Sequence, residues 1–169
     1  MKARGRRPVV AIAGLGLIGG SLAKALVRAG YEVIGIDTPA RRRAASTAGA
    51  LTETAASVTQ AAARADVLVL AAPPAANLRL LREAARVASP RLVVTDVGGA
   101  KRAICAEARR LRLRRFVGGH PMAGRERSGF AASSPDLFRG CAWILTPGSR
   151  EAARVVSRLA RVVGARPAV

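Results

Sequence analysis

Two rhythms of apolar residues alternate along this chain. Short, nearly continuous apolar runs stand at Pro8–Ala13, Glu32–Asp37, Asp66–Ala71 (DVLVLA), Leu92–Asp96 (LVVTD), Arg115–Gly119 and Cys141–Leu145 (CAWIL). Their length and β-branched content predict strands. Between them, apolar residues recur every three to four positions. Leu22, Ala25, Leu26 and Ala29 do so within Leu17–Ala29, and Leu78, Leu81 and Ala85 within Ala76–Ala88. Ala152, Val155, Val156, Leu159, Ala160 and Val163 repeat the pattern near the end. That spacing predicts helices with one buried face. Pro39–Thr47, Thr54–Arg64 and Ala100–Leu111 read as further helices, Pro39 suiting a first helical position and Gly30 a C-terminal cap. Pro73-Pro74 ends the strand before it. A polar, glycine-containing loop runs from Pro121 to about Asp136, and Gly164–Val169 resembles the start of one more strand.

Apolar strands that alternate with helices predict a mainly parallel sheet covered by helices on both faces. No internal repeat, long linker or low-complexity segment interrupts the pattern. The expected organisation is a basic tail over residues 1–7 and one α/β domain over residues 8–169.

Composition agrees with a folded domain. The chain has 169 residues, half of them hydrophobic, which suffices for a sizeable core. Its 29 Lys and Arg outweigh 10 Asp and Glu, for a net charge of +19. Residues 1–85 carry 12 of the cations and residues 86–169 carry 17, so the charge is spread out. Runs such as Arg41-Arg42-Arg43 suggest a nucleic-acid surface, but no nucleic-acid motif accompanies them. At 3%, aromatics are too few for a base-stacking platform. Solvated helix faces in an arginine-rich background are the simpler reading, and their field favours a small anionic ligand. Two cysteines and one histidine exclude a disulfide framework and a His-rich metal site. The basic start followed by apolar Val9–Ala23 mimics a signal peptide, yet the run is too short to span a membrane and holds four glycines. A cytoplasmic protein without membrane attachment is expected.

Those glycines have a pattern of their own. Gly14-Leu-Gly16-Leu17-Ile18-Gly19 fits G-x-G-x-x-G between a strand and a helix, the context that gives the motif meaning. Gly14 permits the tight turn, Gly16 lets a pyrophosphate approach the backbone, and Gly19 lets helix and strand pack closely. The amides that open the helix, at Leu17 and Ile18, would face the phosphates. Asp37, 18 residues after Gly19, is placed to bond the adenosine ribose hydroxyls and to repel a 2′-phosphate. NAD is therefore favoured over NADP, although Arg41–Arg43 lie close by. The expected fold is a Rossmann-like, doubly wound sheet. Ala72, Pro73 and Asp96 fall at C-terminal strand ends, where such sheets hold ligands. Asp96 could equally cap the next helix. His120, the lone histidine, stands at the same edge.

The residues around His120 sharpen the picture. His120-Pro-Met-Ala-Gly-Arg-Glu126-Arg-Ser128-Gly129 resembles the H-P-M-A-G-x-E-x-S-G signature of prephenate/arogenate dehydrogenases. Gly14–Ala23, Thr95–Lys101 and Leu137–Pro147 are similar to the same family's cofactor loop, its D-x-x-S-x-K segment and its strand before the last cofactor-domain helix. The likeness covers nearly all of residues 8–169, in order. It implies NAD-dependent oxidative decarboxylation of prephenate or arogenate, a step in tyrosine biosynthesis. His120 would be the catalytic acceptor for the ring hydroxyl, which requires a neutral imidazole and implies activity that falls on acidification. Glu126 and Ser128 would shape the substrate pocket or cap their own loop. Lys101 would steady its loop or meet an anion.

Two departures stand out. Gly99 occupies the place of the family's serine, so a hydroxyl expected near the substrate is missing. The family's helical C-terminal domain, which supplies much of a homodimer interface and substrate-anchoring basic residues, is absent from this chain. Other readings are another NAD(P)-dependent dehydrogenase, a dinucleotide-binding module without catalysis, and a nucleic-acid binder.

Overall fold

The computed structural model describes residues 7–124, 126–146 and 148–169. Most of the expected basic tail, residues 1–6, and Arg125 and Pro147 of the signature segments lie outside the described residues.

The chain runs β1 (Val10–Ala13), α1 (Leu17–Arg28), β2 (Val33–Ile36), α2 (Pro39–Thr47), β3 (Glu53–Ala55), α3 (Val58–Ala62), β4 (Val67–Leu70), α4 (Pro74–Val87), β5 (Val93–Asp96), α5 (Arg102–Arg110), β6 (Phe116–Pro121), β7 (Ala142–Leu145), α6 (Arg150–Val162) and β8 (Arg166–Ala168). A single 3-10 turn, Phe130–Ala132, lies in the loop between β6 and β7. The strands form one sheet in the order β3-β2-β1-β4-β5-β6-β7-β8. β1 to β6 are parallel, β7 runs antiparallel to β6, and β8 is parallel to β7. This is the doubly wound arrangement, and strand order reverses at the β1–β4 boundary, where such sheets open a crevice.

Burial explains why the apolar runs became strands. Every residue of β1, β2, β4 and β5 is buried. Alternate side chains feed two cores. Val10, Ile12, Val67, Val69 and Val93 pack with Leu22 and Leu26 of α1 and with Val156 and Leu159 of α6. Ala11, Ala13, Leu68, Leu70 and Val94 pack on the other face with Val58 of α3, Leu81 of α4 and Ile104 of α5. β7 departs from this: Trp143 and Leu145 are buried, whereas Ala142 and Ile144 are exposed, the alternation of a strand covered on one side.

Helix starts follow local chemistry. Thr38 accepts from the Arg41 amide and Pro39 opens α2, so that helix keeps its expected bounds. Thr54–Arg64, expected as one helix, instead splits. Glu53–Ala55 pairs with Ile34–Ile36 as an edge strand, and Ser57 then caps the short α3 by accepting from the Gln60 amide. Among the described residues no helix is long and apolar enough to cross a membrane.

Candidate functional site

The turn from β1 into α1 is built from three glycines with different surroundings. Gly14 has φ +105°, and a Cβ there would lie 2.5 Å from the Ala71 carbonyl carbon. A Cβ on Gly19 would overlap the Gly14 carbonyl oxygen. Both glycines are needed for β1, α1 and the end of β4 to meet. Gly16 differs: a Cβ there would meet nothing within 4 Å. It is the N-cap of α1 and offers no side chain to the helix's first amides, which are left for an acceptor from outside.

Asp37 ties this turn to β2. Its Oδ2 accepts from the Leu15 amide at 2.7 Å and its Oδ1 from the Thr38 amide at 2.7 Å. Arg41 Nη1 lies 3.5 Å from Oδ1. A carboxylate has about four acceptor positions, so this one can still take hydroxyl donors. On the neighbouring strand end, the buried Asn77 accepts from the Ala72 amide at 3.0 Å and fixes the turn into α4.

A cavity of about 670 Å³ opens between these turns. Of the residues named above for the cofactor, Gly14, Gly16, Leu17, Ile18, Asp37, Ala72 and Pro73 line it, while Gly19 lies behind, packed on Gly14. Glu126, Arg127, Ser128 and Gly129 line the same cavity from the β6–β7 loop. That loop is fastened to α1: Ser21 Oγ accepts from the Ser134 amide at 2.9 Å, and Lys24 Nζ donates to the Ser133 carbonyl at 3.0 Å. Lys24 also sits 4.6 Å from the centre of the Phe130 ring. Sequence reasoning missed Ala76 and Leu80 of α4, which complete the cavity wall. Helical spacing from Pro74 would have placed them on one side.

His120, Gly99, Lys101 and Asp96 do not line this cavity. They form a second cluster where β5 and β6 end. His120 pairs with Ile144 of β7 and is half-buried; its Nδ1 is buried without a hydrogen-bond partner among the described residues. A Cβ on Gly99 would lie 3.5 Å from His120 Cε1 and 3.7 Å from Nε2, an ordinary contact. The position of the missing serine hydroxyl is thus beside the imidazole.

Asp96 ends β5 at the expected edge, outside the lining of the cavity. It does not cap α5, whose N-cap is Lys101 with no side-chain cap bond. Its carboxylate is buried, accepting from the Gly98 amide at 3.0 Å, from the Gly119 amide at 3.3 Å and from Lys101 Nζ. Lys101 Nζ also donates to the Gly119 carbonyl at 2.8 Å. Burial pushes the Asp96 carboxyl above its ordinary range, while the Lys101 ammonium and the two amides pull against that rise. With Asp96 and Gly119 as its partners, the Lys101 ammonium is committed within the chain.

Residues 22–169 match a family model described as "Prephenate dehydrogenase, nucleotide-binding domain". The chain belongs to this family. The prephenate dehydrogenase of Bacillus subtilis (strain 168) is 36% identical over 159 residues, covering 90% of this chain and 43% of that relative. The crystal structure of prephenate dehydrogenase from A. aeolicus in complex with hydroxyphenyl propionate and NAD+ is similar, with a TM-score of 0.90 at 30% identity over 98% of this chain and 60% of that one. Synechocystis arogenate dehydrogenase has a TM-score of 0.88 at 29% identity, over 95% of this chain and 58% of that one. The chain spans less than half the length of the curated relatives it matches. As a prephenate dehydrogenase nucleotide-binding domain, it opens its cavity of about 670 Å³ at the glycine turn.

Proposed function

We propose that this chain binds NAD in the large cavity and forms the cofactor half of a prephenate or arogenate dehydrogenase. The observation that carries the reading is the shared lining: Gly14, Gly16, Leu17, Ile18 and Asp37 meet Glu126, Ser128 and Gly129 of the loop that follows His120 around one cavity. The residues fit the cofactor. The open space at Gly16 and the uncapped start of α1 suit a pyrophosphate. The free acceptor capacity of Asp37 suits ribose hydroxyls and disfavours a 2′-phosphate. Ala72, Pro73, Ala76 and Leu80 give an apolar wall. When bound, NAD supplies a hydride acceptor.

His120 accepts the proton of the substrate's ring hydroxyl as the carbinol carbon gives up a hydride. Carbon dioxide then leaves, the ring becomes aromatic, and the proton returns to the phenolic oxygen. Glu126 and Ser128, on the loop that follows His120, border the substrate side. Gly99 leaves the imidazole without a neighbouring hydroxyl. The Lys101 ammonium, held by Asp96 and Gly119, acts on the strand rather than on a substrate carboxylate. The unpaired cysteines, Cys105 and Cys141, accord with a cytoplasmic enzyme.

Titration calorimetry with NAD and NADP, beside a dehydrogenase assay on prephenate and arogenate, tests the reading. NAD binding at least tenfold tighter than NADP is expected. A chain that binds neither nucleotide overturns the proposal, and a His120→Asn variant with full turnover removes His120 from its role.

A further inference from the structure

Gly119, the residue before His120, has an unusual place in the sheet. Thr146 and Met122 amides donate across to Gly118 and Ala142, so residues 118, 120 and 122 turn their backbone groups toward β7. By strand alternation Gly119 turns its amide and carbonyl the other way, toward β5. The β5–β6 ladder ends with Asp96 opposite Gly118. The Asp96 carbonyl closes that ladder on the Gly119 amide, but the Gly98 amide turns back to the Asp96 carboxylate, so among the described residues no backbone donor of β5 follows for the Gly119 carbonyl. A buried carbonyl left unpaired there would be unfavourable.

Side chains fill the gap. The Asp96 carboxylate also accepts from the Gly119 amide, and Lys101 Nζ donates to the Gly119 carbonyl while also bonding Asp96. The paired glycines make this possible. A Cβ on Gly118 would lie 3.2 Å from Lys101 Cδ, and one on Gly119 would lie 2.8 Å from the Asp96 carbonyl and 2.9 Å from Trp143 Nε1. Any side chain at 118 crowds the lysine stem; any at 119 separates the strands.

We infer that the Asp96–Lys101 pair substitutes for a missing strand donor and is the positioning device for His120, setting the height and direction of its imidazole. The inference rests on the reading of His120 as proton acceptor. The pair braces the adjoining residue on the β5 side, so its loss leaves the strand beyond Gly118 held by β7 alone. Lys101 and Asp96 are thereby positioning residues that touch neither substrate nor cofactor.

The chain's single histidine allows a direct test, because His120 gives one imidazole Hε1 resonance. Lys101→Met keeps the stem and removes the bond to Gly119. Its Hε1 signal is expected to shift and broaden, while the Kd for NAD stays within twofold of wild type. If Lys101→Met does not fold, Lys101→Met/Asp96→Asn carries the test: it removes the unpaired carboxylate but not the gap at the Gly119 carbonyl, so the same displaced signal is expected. A dehydrogenase assay should show kcat down tenfold or more with KM for NAD unchanged. A wild-type Hε1 signal and titration midpoint in whichever of these variants folds overturns the inference. Wild-type protein that fails to bind NAD instead overturns the proposed function. A displaced signal together with a fully active His120→Asn variant preserves the clamp and refutes the role of His120.

Discussion

Replacing Gly16 by alanine separates binding from folding. A Cβ at this position meets nothing within 4 Å, and φ is −82°, a region any L-residue adopts. Alanine reduces the freedom of the unfolded chain, which stabilises by about 0.4–1 kcal/mol. It is poorer than glycine as an N-cap, by roughly 0.5–1 kcal/mol. The two effects nearly cancel, so urea unfolding followed by circular dichroism should place the variant within about 1 kcal/mol of wild type. The effect on NAD is opposite in kind. A phosphate oxygen that accepts from the first amides of α1 sits about 2.9 Å from nitrogen. The new methyl needs about 3.5 Å. The phosphate must retreat or tilt to make that room, weakening a charge-assisted hydrogen bond that contributes about 1.5–3 kcal/mol. Calorimetry should therefore show the Kd for NAD raised by about tenfold to a hundredfold. Gly14→Ala is the counterpart: with φ +105° and the Ala71 carbonyl carbon 2.5 Å from the new Cβ, strain and overlap should each cost about 1–3 kcal/mol. A stable Gly16→Ala protein with wild-type affinity would show that the turn does not hold the pyrophosphate.

Three further outcomes follow from the geometry. Gly99→Ser places a Cβ 3.5 Å from the His120 ring, so it should fold with a change below about 1 kcal/mol; its hydroxyl should shift the Hε1 titration, and an unmoved midpoint counts against contact. Breaking the Asp96–Lys101 pair with Lys101→Met should cost about 3 kcal/mol, the lower end for a buried pair because Lys101 is partly exposed; adding Asp96→Asn should recover much of it in a double-mutant cycle, and strict additivity would refute the coupling. Glu107 joins Arg110 on its own helix to Arg82 on α4, and their bonds hold its carboxyl down at about 2. A depressed value stabilises the fold above the ordinary carboxylate range, and the benefit fades as pH falls from about 4.5 through 2. The Tm gap between wild type and Glu107→Gln should hold from neutral pH to about 5 and close below it; a constant gap would refute the brace.

Much of this architecture is written locally. Continuous runs such as Val67–Leu70 became strands because both faces are covered, and Thr38-Pro39 carries its own helix start. The G-x-G-x-x-G turn and Asp37 converge because one parallel pairing, β1 with β2, brings them together. What stayed hidden depends on pairings distant in sequence. Glu53–Ala55 is too short to show a period and becomes a strand only by adding to β2. The hold of Ser21 and Lys24 on the β6–β7 loop joins segments with no shared local pattern. Asp96 was correctly placed at the ligand edge, yet its side chain turns toward Gly119, because β5 ends opposite Gly118. That is a property of two strands together, and neither alone encodes it.

The crowding of Trp143 against Gly119 gives the molecule an optical voice. It is the chain's single tryptophan, buried, tilted on Phe138 at 5.4 Å and opposite Pro121 in the hairpin that carries His120. Its indole N–H is buried with no acceptor among the described residues. An indole in such dry surroundings emits at short wavelength and reddens when water reaches it. Selective excitation therefore reports on the β6–β7 hairpin alone, so strand opening beside the imidazole can be followed in real time without any attached dye.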